Sequence, residues 1–79
     1  MGPFPGQIEI FAFPYAPQGW LACNGQLLSV QQFPVLYKLI GTTYGGDGKT
    51  TFAVPSLSSL GPNGPGYYIC VVGQPPQQQ

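Results

Sequence analysis

The sequence predicts a small α+β domain made mostly of short β-strands with one helix. Three observations point to it. Short apolar and aromatic runs recur along the chain and are cut by Gly and Pro, as expected for strands joined by tight turns. Only the stretch around Val35, Leu36, Leu39 and Ile40 spaces its apolar residues as one face of a helix. The 79 residues are 43% hydrophobic and 14% aromatic, so the chain can bury a core in spite of 12 Gly and 10 Pro. A chain of this length is one domain with a thin core, and it usually needs help from disulfides, metal or neighbours.

Residues 1–6, Met-Gly-Pro-Phe-Pro-Gly, read as an irregular N-terminal extension, residues 7–73 as the domain, and residues 74–79 as a Pro/Gln-rich tail. Gln7 to Phe13 reads as a strand with Ile8, Ile10 and Ala12 on one face and Phe11 and Phe13 on the other. Two apolar faces suggest a strand covered on both sides or one turned toward a neighbouring chain. Pro14 and Pro17-Gln18-Gly19 end it. Asn24-Gly25 lies between the apolar runs Trp20–Cys23 and Gln26–Leu28, and predicts a two-residue hairpin in which both turn residues take positive φ. The helix has two starts open to it. Ser29 with Gln32 makes a capping box. Alternatively Pro34 takes the first helical position after a looser turn. Lys38 suits the C-terminal end of the helix dipole and Gly41 is the expected C-cap. Gly45 to Gly48 is a loop, Thr50 to Val54 a strand stopped by Pro55, residues 56–66 a loop, and Tyr67 to Val72 the most β-prone run of the chain.

The charges narrow the function. Only Glu9, Lys38, Asp47 and Lys49 are charged and they cancel. Nucleic acid, held by clustered cations, is not an expected partner. Zero net charge instead favours association. There is no His, and two Cys with two acids make a poor metal site, so no cofactor is expected. No run is long enough to insert in a membrane. No secretory signal is expected from these residues, the first 37 of which lack Lys and Arg.

The motifs that tempt a catalytic or nucleotide-binding reading fail on spacing. Gly48-Lys49-Thr50 has Thr43 where a phosphate-binding loop needs Gly, and it runs helix–loop–strand rather than strand–loop–helix. Gly45, Gly46 and Gly48 are read as a sharp left-handed path, and Asp47 as a turn residue bonding local backbone. Ser29, Ser56, Ser58 and Ser59 have no activating partner in the sequence. No enzyme is expected. Tyr15, Tyr37, Tyr44, Tyr67, Tyr68 and Trp20 could line a sugar-stacking platform, but such rings more often divide between core and interface; Trp20 is read as core and Tyr44 as packing over the Gly-rich loop. Cys23 and Cys70 both fall in strands. An intrachain bridge adding roughly 3–4 kcal/mol, two buried free thiols and an interchain bridge all remain open.

Gly19-Trp20-Leu21-Ala22-Cys23-Asn24-Gly25-Gln26-Leu27, then Leu39-Ile40-Gly41-Thr42-Thr43-Tyr44-Gly45-Gly46-Asp47-Gly48, then Thr50-Thr51-Phe52-Ala53-Val54-Pro55-Ser56-Leu57, stand in an order and spacing that resemble the phage tail collar domain family, which includes short tail-fibre proteins and microcystin-dependent proteins. The resemblance spans about residues 7 to 57, and Gly66 to Gly73 looks like the family's last strand. It marks Gly19, Trp20, Asn24, Gly25, Gly41, Tyr44, Gly45, Gly46, Phe52 and Pro55 as structural motif positions. Two departures stand out. A small residue is usual where Cys70 stands, and residues 58 to 66 replace a long middle region.

The resemblance implies a tail-fibre or collar role, trimeric association and engagement of a host-surface receptor. With the middle region so short, the expectation is a non-enzymatic structural subunit. It would self-assemble into a homo-oligomer or an extracellular fibre or filament, outside the cell or on a virion or tail-like particle. The alternative is a receptor- or glycan-binding module. Phe4, Phe11, Phe13, Pro75 and Pro76 are the expected assembly contacts, with at least one tail packing on a neighbouring copy and Phe4 as its apolar anchor.

Overall fold

The computed structural model describes residues 3–13, 15–57 and 66–74. Five strands and one short helix are found among them, in the order β1 (Ile8–Phe11), β2 (Trp20–Ala22), β3 (Leu27–Ser29), α1 (Pro34–Ile40), β4 (Thr51–Ala53) and β5 (Gly66–Cys70). The strands make two antiparallel sheets, one ordered β1-β5-β2 and the other β3-β4. This is the small α+β, strand-rich class expected from the sequence.

β5 is central because it is the segment best suited to a pleated, covered environment. Tyr68, Ile69 and Cys70 are all buried. β1 pairs with it from Ile8↔Ile69 to Phe11↔Gly66, and β2 from Trp20↔Cys70 to Ala22↔Tyr68. In the second sheet Leu28 lies opposite Phe52. Bonds from Val30 N–H to Thr50 O (3.0 Å) and Val54 N–H to Gln26 O (3.2 Å) carry that pairing one residue beyond the strand at each end.

The helix takes the second of its two starts. Pro34 opens it, where a missing N–H costs nothing and φ is preset. Ser29 does not cap it. Ser29 Oγ instead accepts the Gln32 N–H at 3.2 Å, closing the turn that precedes the helix. Gly41 closes the other end, its N–H reaching Tyr37 O at 2.7 Å. Leu36 is fully buried and Ile40 half-buried, whereas Val35 and Leu39 of the same apolar stripe are exposed.

The core consists of Cys23, Leu28, Leu36, Phe52, Val54, Ile69 and Val71, flanked by Leu21, Val30, Phe33, Tyr37, Ile40 and Tyr67. It is drawn from both sheets and the helix, so none of these elements buries its apolar side alone.

The hairpin expected at Asn24-Gly25 is not formed. β2 pairs with β5 and β3 with β4, so the dipeptide is a crossing between two sheets. Gly25 does take positive φ, at +79°, but Asn24 does not. Asn24 Oδ1 accepts the Gln26 N–H at 3.1 Å, and Gly25 N–H goes to Pro55 O at 3.2 Å. Asn24 also bridges to Ser56. The dipeptide's turn chemistry is used to change direction, and long-range partners take the backbone groups that a hairpin would have paired.

The lead segment is part of the domain's packing. Pro5 is buried, Gly6 N–H donates to Cys70 O at 2.8 Å, and Gln7 N–H closes a turn onto Phe4 O at 3.0 Å.

Candidate functional site

Alternation along β5 divides its side chains between two faces. Tyr67, Ile69 and Val71 join the core or pack on it. Tyr68 and Cys70 point to the opposite side of the sheet, together with their cross-strand partners Glu9, Ala22 and Trp20. Phe11, two residues from Glu9, shares this outer face.

A row of aromatic rings occupies it. Phe11 meets Tyr68 at 5.6 Å between ring centroids and Trp20 edge-on at 5.1 Å, with 87° between planes. Phe13 stacks on Phe11 at 5.3 Å, and Tyr15 lies 4.7 Å from Phe13. These spacings suit the ring quadrupole, which prefers edge-on and offset arrangements. Exposure rises along the row, from 8% at Tyr68, through half-buried Phe11, Trp20 and Phe13, to 65% at Tyr15. The sheet is thus apolar on both sides, as the two apolar faces of β1 suggested. Glu9 sits at the rim, its carboxylate accepting from Gln7 Nε2 at 2.8 Å.

Trp20 was expected in the core. It is instead half-buried on this outer face, because its register opposite Cys70 turns it away from Ile69 and Val71. On the core side of the edge strand β1, Ile8 and Ile10 lie opposite Ile69 and Tyr67 but remain 38% and 49% exposed.

The other aromatic rings divide. Tyr37 donates its hydroxyl to Gly48 O at 3.1 Å and packs on core Phe52 at 5.4 Å. Tyr67 packs on the core. Tyr44, expected over the Gly-rich loop, is 51% exposed. Phe4 is exposed as well; Pro75 and Pro76 lie outside the described residues.

Cys23 and Cys70 are both buried free thiols. Cys23 N–H bonds Tyr67 O at 3.0 Å, which sets it opposite Tyr67. Cys70 is three positions further along β5 and faces the other side. The two are about 10 Å apart along the strand, beyond the roughly 7 Å a bridge can span. Cys70 Sγ lies 3.1 Å from Val72 O. Burial pushes the Cys23 thiol up from its ordinary value.

The Gly-rich loop is a self-contained turn. Asp47 Oδ1 accepts the backbone N–H of Lys49 (2.8 Å), Thr50 (2.9 Å) and Thr51 (3.0 Å). The bonds from Thr51, Lys49 and Thr50 hold its carboxyl far below the usual carboxylate range. Every one of these bonds is local, and the loop's glycines bring its backbone against β4. Gly45 O accepts the Ala53 N–H at 3.1 Å, and Gly48 N–H reaches Thr51 O at 3.0 Å. Pro55, buried beyond β4, supplies the carbonyl that fixes Gly25. Gly19 O receives the Val71 N–H at 2.9 Å, so the Gly19 motif position anchors the end of β5.

Among the described residues no group of three or more His, Cys, Asp or Glu side chains could hold a metal. No helix is long and apolar enough to cross a membrane among them. The outer aromatic face presents apolar ring surface, with Tyr15 its most exposed member.

No curated protein and no solved structure matches the chain. The sequence profile of the phage tail collar domain matches residues 6–62, a span that holds β1 to β4, the helix, the Gly-rich loop and four of the five rings of the aromatic row. The chain belongs to the phage tail collar domain family.

Proposed function

We propose that this chain is a non-enzymatic structural subunit of a tail-fibre type, which assembles with copies of itself through the outer face of the β1-β5-β2 sheet. Membership of a tail domain family supports a virion- or tail-associated structural role. The observation that carries the surface is the row Tyr68, Phe11, Trp20, Phe13 and Tyr15, an apolar stripe that continues from buried to exposed on a chain of zero net charge. Covering a large aromatic side chain is worth on the order of 1.5–3 kcal/mol, and exposed apolar patches of this kind mark interaction sites. A neutral chain has little long-range repulsion to oppose the contact of two such faces.

Light scattering on the wild-type chain and on a Phe13→Lys/Tyr15→Lys double variant tests this. The wild type should form particles well above monomer mass and the variant should not. Two proteins of equal monomeric mass contradict the reading. A second reading, a glycan- or receptor-binding module, is favoured by the open rings of Tyr15 and Tyr44, at 65% and 51% exposure. Binding of the monomer to a glycan array, lost on Tyr15→Ala or Tyr44→Ala, would support it.

A further inference from the structure

Four strands lie at sheet edges, and β1 is the one left open along its length. At β2, Trp20 N–H goes to Pro17 O at 3.0 Å, and Ala22 O accepts from Asn24 N–H at 2.9 Å and from Gln26 Nε2 at 3.2 Å. At β4 the Gly-rich loop takes the outer groups, with Ala53 N–H on Gly45 O at 3.1 Å and Gly48 N–H on Thr51 O at 3.0 Å. At β3, Ser29 O accepts the Phe33 N–H at 3.0 Å, which leaves Leu27. β1 has no such cover among the described residues. Cys70 N–H bonds Gln7 O at 2.9 Å, which turns Gln7 toward β5. By alternation Glu9 and Phe11 face β5 as well, and the N–H and C=O groups of Ile8 and Ile10 point outward. Ile8, Glu9 and Ile10 are all exposed. We infer that this edge pairs antiparallel with β1 of a second copy, about a two-fold axis at Ile10, and joins two three-stranded sheets into one.

The occupant is a second copy because β1 carries the pattern that its own edge asks for. A strand added there needs apolar side chains at alternate positions to cover Ile8 and Ile10, and a residue beside Glu9 that does not repel it. Nothing in β1 resists the addition. Ile8–Phe11 contains no Pro, no Lys and no bulge, the usual guards of an edge strand. Glu9, the only charge on the strand, decides the register. An axis at Glu9 would set two carboxylates face to face in the closer kind of antiparallel pair, with Cα atoms about 4.5 Å apart. One step along, Ile10 meets Ile10, Ile8 meets Ala12, and Glu9 meets Phe11. The exposed isoleucines of both copies then cover one another on one side of the joined sheet. On the other side the two aromatic rows share one continuous surface. Each copy gives the same residues to the contact, as a two-fold interface requires, and the zero net charge offers no long-range opposition. The inference rests on the self-assembly reading for its partner, but not on the outer face as the contact.

The backbone itself can be tested. A synthetic segment of residues 1–22, ligated to a segment that starts at Cys23, gives the full chain with an N-methyl group on Ile10. The change removes the outward N–H and leaves the ladder to β5, which uses Glu9 and Phe11, in place. Sedimentation should show association weakened roughly tenfold or more against the unmodified ligated chain, because both hydrogen bonds at the axis are lost. Hydrogen exchange on the unmodified protein gives a second readout that needs no variant. The Ile8 and Ile10 amides should exchange slowly at high concentration and fast on dilution. An N-methyl chain that associates as tightly as the unmodified one, or Ile8 and Ile10 amides that exchange freely in the assembled protein, overturns the pairing and leaves assembly through the outer face standing. A wild-type chain that stays monomeric overturns both. Should the Phe13→Lys/Tyr15→Lys variant associate like the wild type, protected Ile8 and Ile10 amides would still support the β1 pairing, so the two readings fail separately.

Discussion

Replacing Gly46 with Ala separates two reasons for a glycine in the Gly-rich loop. Gly46 has φ +97°, and a Cβ there would stand on Phe52 Cα, 2.5 Å from Thr51 O and 2.7 Å from Phe52 N. The obstacle is backbone of β4, and Phe52 is fully buried, so it has no room to retreat. The unfavourable φ costs about 1–2 kcal/mol, and forcing an atom into a packed region adds about 1–3 kcal/mol. The sum of roughly 2–5 kcal/mol is a large part of the roughly 4–12 kcal/mol expected for a domain of this length. Gly6 is the matched control. Its φ is +91°, but a Cβ there meets only Leu36 Cδ1 at 3.9 Å and Ile40 Cγ2 at 4.0 Å. Gly6→Ala should therefore suffer the backbone cost alone. Thermal melts followed by circular dichroism, at one protein concentration because the proposed assembly would shift the midpoint, should place Gly46→Ala below Gly6→Ala by at least about 4–8 °C, the equivalent of 1 kcal/mol at this size. Equal losses in the two variants would refute the close approach of the loop to β4.

Acid and thiol chemistry give two further checks. Because the folded Asp47 carboxyl is held below its unfolded value of 3.8, its contribution is complete above that pH and is lost as the pH falls through the lower, folded value. Melting temperature should thus drop on acidification below about pH 4, and Asp47→Asn should flatten that drop; parallel curves would show that the turn does not depend on the charge. Intact-mass measurement without reductant should show no loss of two hydrogens, and Cys23 and Cys70 should react with a thiol reagent only after unfolding. A bridged chain would contradict the register that puts them on opposite faces.

Local signals in the sequence are informative where local physics decides the outcome. Pro34 opens the helix because proline tolerates that position, Gly41 closes it, and Asp47 organises a turn with neighbours two to four residues away. Asn24-Gly25 shows where this stops. Its turn preference is real, and Gly25 uses it, but the partners of β2 and β3 are set by β5 and β4, far along the chain, and no two-residue signal encodes them. Trp20 shows the same limit. Alternation in a strand establishes that there are two faces, while only the pairing with β5 tells which of them meets Leu36 and Phe52. The outer aromatic face is legible only in part: alternation along Gln7 to Phe13 puts Phe11 and Phe13 on one face, but Trp20 and Tyr68 join them only because β1, β5 and β2 lie side by side. The Cys pair failed to meet for a related reason: a register offset of three residues reverses the face, and spacing in sequence carries no trace of it.

A high-resolution reconstruction of the assembled protein by electron cryomicroscopy tests the outer face of the β1-β5-β2 sheet most directly. Phe11, Phe13, Tyr15 and Trp20 are expected at the contact between copies, with Tyr15 changed from mostly exposed to buried. An assembly whose copies meet elsewhere, with these four rings open to solvent, would contradict it.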